Sequence, residues 1–492
     1  MGYIYLMRIK GLLPVLGIIA LLLSSCNLIL GNTGEPPVLD AALGQFWAQN
    51  FTNNSYYEVN ADLLAVGANC NVWAEKGSGV DPTTAKSVAD QYDTVILPEM
   101  LKTFSYDGTI TYAGKTVNNI MALADLLGDR DGKLCILLLD IKDGYKKAGD
   151  PYTAGYFWSG NLLNISYSNR CDMIYIDSYP GQPGTQASNS TLAHEMQHLM
   201  NYVSSICFRK KLMDTWIDEG LSSAAEWLYY NGQYDVNRYN WYRDYRSLIS
   251  SGNNFFVWGN HKQYQYAILD DYATVYLFFQ WLRLQSGSTA IYKNIITSAD
   301  YDFNAVTKAA ASKMVGQGYE DWGTLLKTWL AASYINSESG KYGYMNDSVL
   351  GSSGSDPIKF STTALASFSL APGEAVYSII PSGSTFTAPN PKTGNINYCN
   401  LTTTLSEGSS YTTGALLTVN VNSNNGGAAE NGITTGTVAN ISTTESQGRS
   451  FMAEPPAWPS PIGAADILQR NGFAPPPEPG LPRLPIEILS HE

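Results

Sequence analysis

The chain has 492 residues, of which 44% are hydrophobic and 15% are charged. A chain this apolar and this lightly charged can bury a sizeable core, which excludes global disorder. Its 30 Lys and Arg residues against 43 Asp and Glu residues give a net charge of −13. Phosphate contacts require a basic surface, so we expect no nucleic acid among its partners.

The N-terminus has the pattern of an export signal. Two basic residues precede an apolar run, residues 11–23, which is too short to span a bilayer core. The run ends in L-S-S-C, which resembles the lipobox of bacterial lipoproteins, whose Cys carries the lipid. We therefore predict a lipoprotein signal peptide over 1–25 and lipidation of Cys26. This predicts a cell-envelope lipoprotein at the outer membrane or the cell surface; an ordinary signal peptide with an incidental Cys is the alternative.

Composition divides the rest of the chain into four regions. A Gly- and Pro-containing tether is expected over 26–40, and one large α+β body over 41–350. Near residue 351 the sequence becomes rich in Ser, Thr, Asn and Gly with alternating apolar patches, which predicts a small β-domain over 351–450. A Pro-rich tail, extended or disordered, is expected over 451–492.

Within the body, strands are predicted first and helices later. The alternating pattern of 69–75 predicts a strand, and the apolar spacing of 83–104 predicts a helix with a kink at Pro98. The nearly continuous apolar run 134–141 predicts a strand buried on both faces, and 173–176 predicts another strand. Helices are then predicted at 188–206, 214–230, 269–286 and 321–336.

One motif carries the chemistry. Residues 191–200 read T-L-A-H-E-M-Q-H-L-M, which places His194 and His198 on the same face of a helix, one turn apart. Two imidazoles in this arrangement can bind one zinc ion, and Glu195 can lie beside the metal without binding it. Only four His occur in the chain, so this spacing is unlikely to arise by chance.

A catalytic zinc needs a third protein ligand and an open position. The segment 215–230 contains Glu219, which lies 21 residues after His198, and a second helix running back against the first brings its carboxylate to the metal. Glu226, two turns further along the same face, is either the rival ligand or a partner of a ligating His. In the simpler interpretation, Asp218 and Glu219 only complement a helix N-terminus.

These residues carry a family resemblance. H-E-M-Q-H followed by W-I-D-E-G-L-S resembles the gluzincin metallopeptidases, and the wider context of about residues 50–350 is most similar to the hyicolysin family of secreted bacterial neutral metallopeptidases. The resemblance implies a thermolysin-like zincin body, with a mixed sheet over the zinc helix and a helical lower half. It implies Zn²⁺ as cofactor, with His194, His198 and Glu219 as ligands and Glu195 as the base. It also implies that strand 173–177 is the sheet edge that binds an extended peptide.

The resemblance further implies hydrolysis of protein or peptide substrates by an exported endopeptidase, with Glu195 accepting a proton from the activated water. The oxyanion then needs a hydrogen-bond donor besides zinc. Tyr272 is our first choice for this catalytic role, and His261 and Tyr266 are alternatives. A catalytically silent surface-binding or adhesion lipoprotein on a peptidase scaffold is the alternative function. The sequence leaves the oligomeric state open.

Two weaker signals have simpler interpretations. Asp129-Arg130-Asp131-Gly132 resembles the beginning of a calcium loop but lacks its remaining spacing and terminal Glu, so a turn before the next strand is the better prediction. Apart from Cys26 there are five Cys, an odd number, so at least one is unpaired within the chain. Cys135 lies in an apolar stretch and is expected to be a buried hydrophobe.

Overall fold

A computed structural model describes residues 39–423 except 149, 151, 236–237, 240–254, 257–267, 315–317, 359–366, 371 and 391–393, and in addition Pro37 and residues 434–437. The predicted signal peptide, the predicted lipidation site Cys26, most of the predicted tether and the predicted Pro-rich tail therefore lie outside the described residues. Among the described residues, none of the helices combines the length and the apolar character that crossing a membrane requires.

The body contains eight strands, six of which form one sheet. They are β1 Gln45–Asn50, β2 Ser55–Val66, β3 Cys70–Glu75, β4 Ile110–Tyr112, β5 Lys115–Val117, β6 Leu134–Leu139, β7 Gly155–Tyr156 and β8 Met173–Asp177. The six-stranded sheet has the order β1-β2-β3-β6-β8-β7, and β4 and β5 form a separate hairpin between β3 and β6 in the chain.

Helices pack against the sheet and form the second half of the body. They are α1 Pro82–Gln91, α2 Leu97–Phe104, α3 Ile120–Leu127, α4 Gln186–Ser204, α5 Thr215–Tyr229, α6 Ile268–Ser286, α7 Ala290–Ile296, α8 Phe303–Lys313 and α9 Trp322–Ile335. The fold is thus mixed α+β and compatible with a zincin-like body.

The predicted irregularity at Pro98 is present. A π-helical turn, Tyr92–Ile96, joins α1 to α2, and Pro98 lies in the first turn of α2. Proline has no N–H to donate and its ring displaces the preceding carbonyl, so the regular helix stops before it and begins again at Leu97.

The centre of the sheet is parallel and buried on both faces. All six residues of β6 are buried, and β6 pairs in parallel with β3 on one side and with β8 on the other. The strands predicted at 69–75, 134–141 and 173–176 are confirmed, with ends shifted by one or two residues.

The prediction that strand 173–177 forms the edge of the sheet is wrong. The short strand β7 pairs antiparallel with β8, so that Gly155 lies opposite Ile176 and Tyr156 opposite Tyr175. The edge next to the zinc-motif helix is therefore β7. Its two residues carry too weak an alternation to be recognised as a strand in the sequence.

The C-terminal region forms strands, but it shares a core with the body. Its four-stranded sheet has the order β10-β15-β12-β13. The strands of this region are β9 Ser367–Leu370, β10 Ala375–Ile379, β11 Phe386–Thr387, β12 Ile396–Leu401, β13 Leu405–Glu407, β14 Ser410–Tyr411, β15 Ala415–Asn420 and β16 Thr434–Thr437.

Alternate residues of this sheet face two different clusters. Tyr377 and Leu417 pack into the main core of the body, and the Tyr377 hydroxyl donates a hydrogen bond to the Leu330 carbonyl of α9 at 2.8 Å. Val376 and Leu416 face a small second core. The separate β-domain predicted over 351–450 is thus not confirmed, because the described residues 40–423 and 434–437 belong to one compact unit.

Candidate metal centre

The site lies between α4 and α5, which pack antiparallel. Helix α4 begins at Gln186, where the Thr185 hydroxyl accepts the Ser188 N–H. His194 near its middle lies opposite Glu226 at the end of α5, and His198 lies opposite Asp218 at the start of α5. The helical spacing of the H-E-x-x-H motif thus directs both imidazoles at the same neighbouring helix.

Three side chains converge at this interface. The Nε2 atom of His194 is 3.3 Å from Oε2 of Glu219, and Nε2 of His198 is 3.8 Å from the same oxygen. All three candidate ligand atoms lie within 4.8 Å of one another. Two ligands of a tetrahedral zinc ion are about 3.3–3.4 Å apart, given bond lengths of 2.0–2.1 Å. The triad that the sequence predicts as ligands is therefore close to the spacing that zinc requires.

The hydrogen bonding of Glu219 fits a cation. Its Oε2 is buried and accepts no hydrogen bond from any of the described residues, although it lies between the two imidazoles. A buried carboxylate oxygen without a donor is costly unless a positive charge compensates it. The donor set of two imidazole nitrogens and one carboxylate oxygen is one that zinc prefers.

The buried ion pair of Glu226 and Arg238 fixes the imidazole of His194 on its Nδ1 side. Its Nδ1 lies 2.7 Å from Oε1 of Glu226, and Arg238 donates to both Glu226 oxygens, at 2.9 Å from Nε and 2.6 Å from Nη2. The carboxylate accepts the Nδ1–H, which leaves the lone pair of Nε2 directed at Glu219. Glu226 is thus the partner of a candidate ligand rather than a member of the converging triad.

His198 has an equivalent partner. Its Nδ1 lies 2.9 Å from Oδ2 of Asp218 and 3.1 Å from the Ser222 hydroxyl. Asn201, one turn further along α4, donates to the other Asp218 oxygen. Both imidazoles therefore present Nε2 to the same point, each fixed by a carboxylate on its Nδ1 side.

The carboxylates around the two imidazoles favour positive charge here. Burial alone lowers the pKa of an imidazole, but the neighbouring carboxylates of Glu219 and Glu226 outweigh it and raise the pKa of His194 to about 9. Burial is likewise outweighed at His198, where Asp218 and then Glu219 raise the pKa well above its usual range. Burial opposes the charge on Glu226, but Arg238 overcomes it and lowers the Glu226 pKa to about 2.

A glycine lets the Glu219 helix approach the core closely. A Cβ on Gly220 would lie 2.3 Å from the ring of Phe279 on α6, and that ring is fully buried. The glycine in W-I-D-E-G thus has a packing role, because it seats α5 against α6 and thereby sets the position of Glu219.

Glu195 faces the edge strand of the sheet. It is 8% exposed, and burial is the main cause that raises its pKa, offset in part by the two imidazoles and by the backbone of Phe157. Phe157 directly follows β7, which lies so close to α4 that a Cβ on Gly155 would lie 2.8 Å from Thr191. The Glu195 carboxylate is thus placed between the imidazoles and the sheet edge.

The remaining predicted residues are placed as follows. Tyr272 lies on α6, buried, with its ring centre 5.1 Å from the Arg238 guanidinium carbon. This contact connects it to the site through Arg238 and Glu226, and its role as oxyanion donor stays a prediction. The alternatives His261 and Tyr266 lie outside the described residues.

Sequence reasoning missed Arg238 and the role of Asp218. Asp218 had a signal, since it neighbours Glu219 and lies one turn before Ser222 on the same helix. Arg238 had none, because it lies beyond the end of α5 and reaches Glu226 only through the tertiary fold.

The chain is similar to a neutral metalloprotease of known sequence. It is 31% identical over 283 residues to Neutral metalloprotease ShpI of Staphylococcus hyicus, an alignment that covers 55% of this chain and 58% of that protein. The chain therefore spans little more than half the length of this curated relative. No family model matches the chain. The similarity supports a metallopeptidase family, and a metallopeptidase implies a metal cofactor and protein or peptide substrates.

Proposed function

We propose that the chain is a zinc-dependent endopeptidase of the gluzincin type, most similar to the hyicolysin family. The observation that carries the proposal is the convergence of two imidazole Nε2 atoms, of His194 and His198, on the donorless carboxylate oxygen of Glu219. The similarity to a neutral metalloprotease supports it. The comparison does not favour the alternative of a silent binding or adhesion protein.

The chain's own residues supply the proton transfers. Zinc, when bound by this triad, supplies the Lewis-acid chemistry that activates water and polarises a peptide carbonyl. Glu195 accepts a proton from the attacking water and returns it to the leaving amine, and its raised pKa suits both steps. Tyr272 is our proposed donor to the developing oxyanion.

The sheet edge gives the substrate a place to bind. Strand β7 ends at Tyr156, beside Glu195, and one side of it pairs with β8. We propose that an extended peptide pairs with the other side by β-augmentation, which directs its scissile bond toward the α4–α5 interface. The backbone provides most of the contacts in this mode, so sequence preference depends on side-chain pockets along the cleft.

Glu195→Gln is the decisive test. The variant should retain stoichiometric zinc, measured by elemental analysis, and lose casein cleavage by at least about 100-fold, since general-base catalysis contributes 10²–10⁴-fold. Glu99→Gln, at a half-exposed carboxylate on α2 that pairs with Lys102, is the matched control and should keep full activity. Retained activity in Glu195→Gln contradicts the assigned role, and wild-type protein that carries zinc but cleaves no peptide library contradicts the enzyme proposal.

The proposed oxyanion donor has its own test. Tyr272→Phe should lower kcat by about 10²–10³-fold with little change in KM, because the donor acts mainly in the transition state. An unchanged kcat in a folded Tyr272→Phe variant removes this residue from the mechanism.

We further propose that the protein is an exported, lipid-anchored component of the cell envelope, at the outer membrane or the cell surface. The L-S-S-C string ending at Cys26 after a short apolar run supports this. Metabolic labelling with a radioactive fatty acid should mark the wild-type protein but not Cys26→Ser. Labelling of both forms, or of neither, contradicts the assignment.

A further inference from the structure

A second group of carboxylates lies in the loop between α3 and β6. Asp125 is on α3, and Asp129 and Asp131 are in the loop; their candidate ligand oxygens lie within 4.8 Å of one another. Calcium binds oxygen at 2.3–2.6 Å, so two of its ligands can be up to about 5 Å apart. The three carboxylates are thus close enough to share one calcium ion.

An independent observation at the start of β8 points to the same place. Asp172 is only 2% exposed, and its Oδ1 accepts no hydrogen bond. A Cβ on Gly128 would lie 3.0 Å from that oxygen, so the carboxylate lies against the residue that directly precedes Asp129. A buried carboxyl oxygen without a donor, beside three other carboxyl groups, is stable only if the acid stays protonated or a cation compensates its charge.

The loop itself does not supply enough positive charge. Burial is the main cause that raises the pKa of Asp172 well above its usual range, and the charges of Asp129 and Asp125 add to it. The Lys133 ammonium donates to the carbonyl of Gly67, away from the cluster. Arg130 favours the charged form of Asp125, but it is one cation beside four carboxyl groups.

Neutral donors satisfy only part of the cluster. The backbone N–H of Gly132 donates to Asp125 at 2.7 Å, that of Lys133 donates to Asp131 at 2.8 Å, and the amide of Asn71 donates to the other Asp131 oxygen at 2.9 Å. These bonds close the loop and hold the oxygens together, but they add no charge.

We propose that Asp125, Asp129, Asp131 and Asp172 form a calcium site, distinct from the zinc triad, that ties the α3–β6 loop to the start of β8. The ligand set contains only oxygen, which calcium prefers and zinc does not. Because β6 and β8 are adjacent parallel strands, the ion joins their amino ends. Helix α4 follows the opposite end of β8, so the ion acts on stability rather than on the chemistry.

The test is calcium binding and thermal unfolding of the zinc-loaded full chain. Equilibrium dialysis with radioactive calcium should show one ion per chain, and calcium at about 100 times its Kd should raise the folded-to-unfolded ratio about 100-fold. The double variant Asp129→Asn/Asp131→Asn should lose both effects. Asp62→Asn, an exposed carboxylate paired with Lys76 on the sheet, is the control and should retain both.

Asp172→Asn separates a calcium ligand from a merely buried acid. Without calcium the variant should be at least as stable as wild type, because the buried charge is removed, but it should lose most of the calcium-dependent gain. Three results overturn the proposal: no calcium bound at millimolar concentration, an equal gain from magnesium, or an undiminished gain in the double variant. If the double variant does not fold, the single variant Asp131→Asn tests the same loss of calcium binding and of the stability gain. It should fold, since the Asp131 side chain is exposed.

Discussion

The buried pair of Glu226 and Arg238 allows a strict test of how the site is supported. Replacing Arg238 by Met keeps the length and apolar stem of the side chain but removes the guanidinium. The Glu226 carboxylate then loses both charge-assisted hydrogen bonds, at 2.9 and 2.6 Å, and His194 is the donor that remains to it among the described residues.

The structure fixes the size of the effect. Arg238 is 5% exposed and Glu226 is 7% exposed, so water cannot replace the lost donors. A hydrogen bond to a charged group contributes about 1.5–3 kcal/mol, which gives about 3–6 kcal/mol for two. Removal of one partner of a buried ion pair costs about 3–5 kcal/mol. We therefore expect Arg238→Met to lower the free energy of unfolding by about 3–5 kcal/mol.

Urea denaturation at pH 7, with and without zinc, measures this free energy. The double variant Glu226→Gln/Arg238→Met is the control, because it removes both charges yet keeps an acceptor for the Nδ1–H of His194. We expect it to cost less than about 2 kcal/mol. A loss below about 1 kcal/mol in Arg238→Met, or a double variant less stable than the single one, would refute the reasoning.

Three further predictions concern the same elements. Asp218→Asn weakens the hold on Nδ1 of His198, so zinc affinity in a chelator competition should fall about 10–100-fold; unchanged affinity would show that Asp218 does not orient the imidazole. Gly220→Ala places a Cβ 2.3 Å from Phe279 and should cost about 1–3 kcal/mol in urea denaturation, whereas a neutral result would mean that α5 and α6 are loosely packed. Burial, partly offset by backbone hydrogen bonds, raises the pKa of Asp177 from 3.8 to about 7. The folded state thus binds the Asp177 proton more tightly than the unfolded state does. The stability from this bound proton is complete below pH 4 and is lost as the pH rises to about 7. The loss amounts to up to about 4 kcal/mol in the free energy of unfolding. The unfolding free energy of Asp177→Asn should therefore fall less between pH 4 and 8 than that of wild type, and equal slopes would contradict the assignment.

Local patterns were enough for the elements that carry the metal chemistry. The spacing of His194 and His198 predicted a helix with two imidazoles on one face, and α4 has that arrangement because a helical period admits no other. The continuous apolar run of β6 predicted a strand buried on both faces, since a parallel strand between helices meets no water. Glu219 was found in the same way, from a second helical pattern at a distance that allows an antiparallel return.

Long-range contacts decided the rest. Strand β7, not β8, forms the sheet edge, because two extended residues form a strand only when a neighbour pairs with them. The C-terminal sheet joined the core of the body, since the apolar faces of Tyr377 and Leu417 matched a surface formed by distant helices.

By itself, the sequence determined which residues to expect at the candidate site, because a helix or strand imposes its period on side chains a few positions apart. Only the tertiary structure decided which groups contact and support these residues. The contact of Arg238 with Glu226 lies beyond the reach of a single helix, and the approach of Asp172 to Gly128 joins two different elements of the chain. Their proximity follows from the packing of whole helices and strands, which no local period encodes.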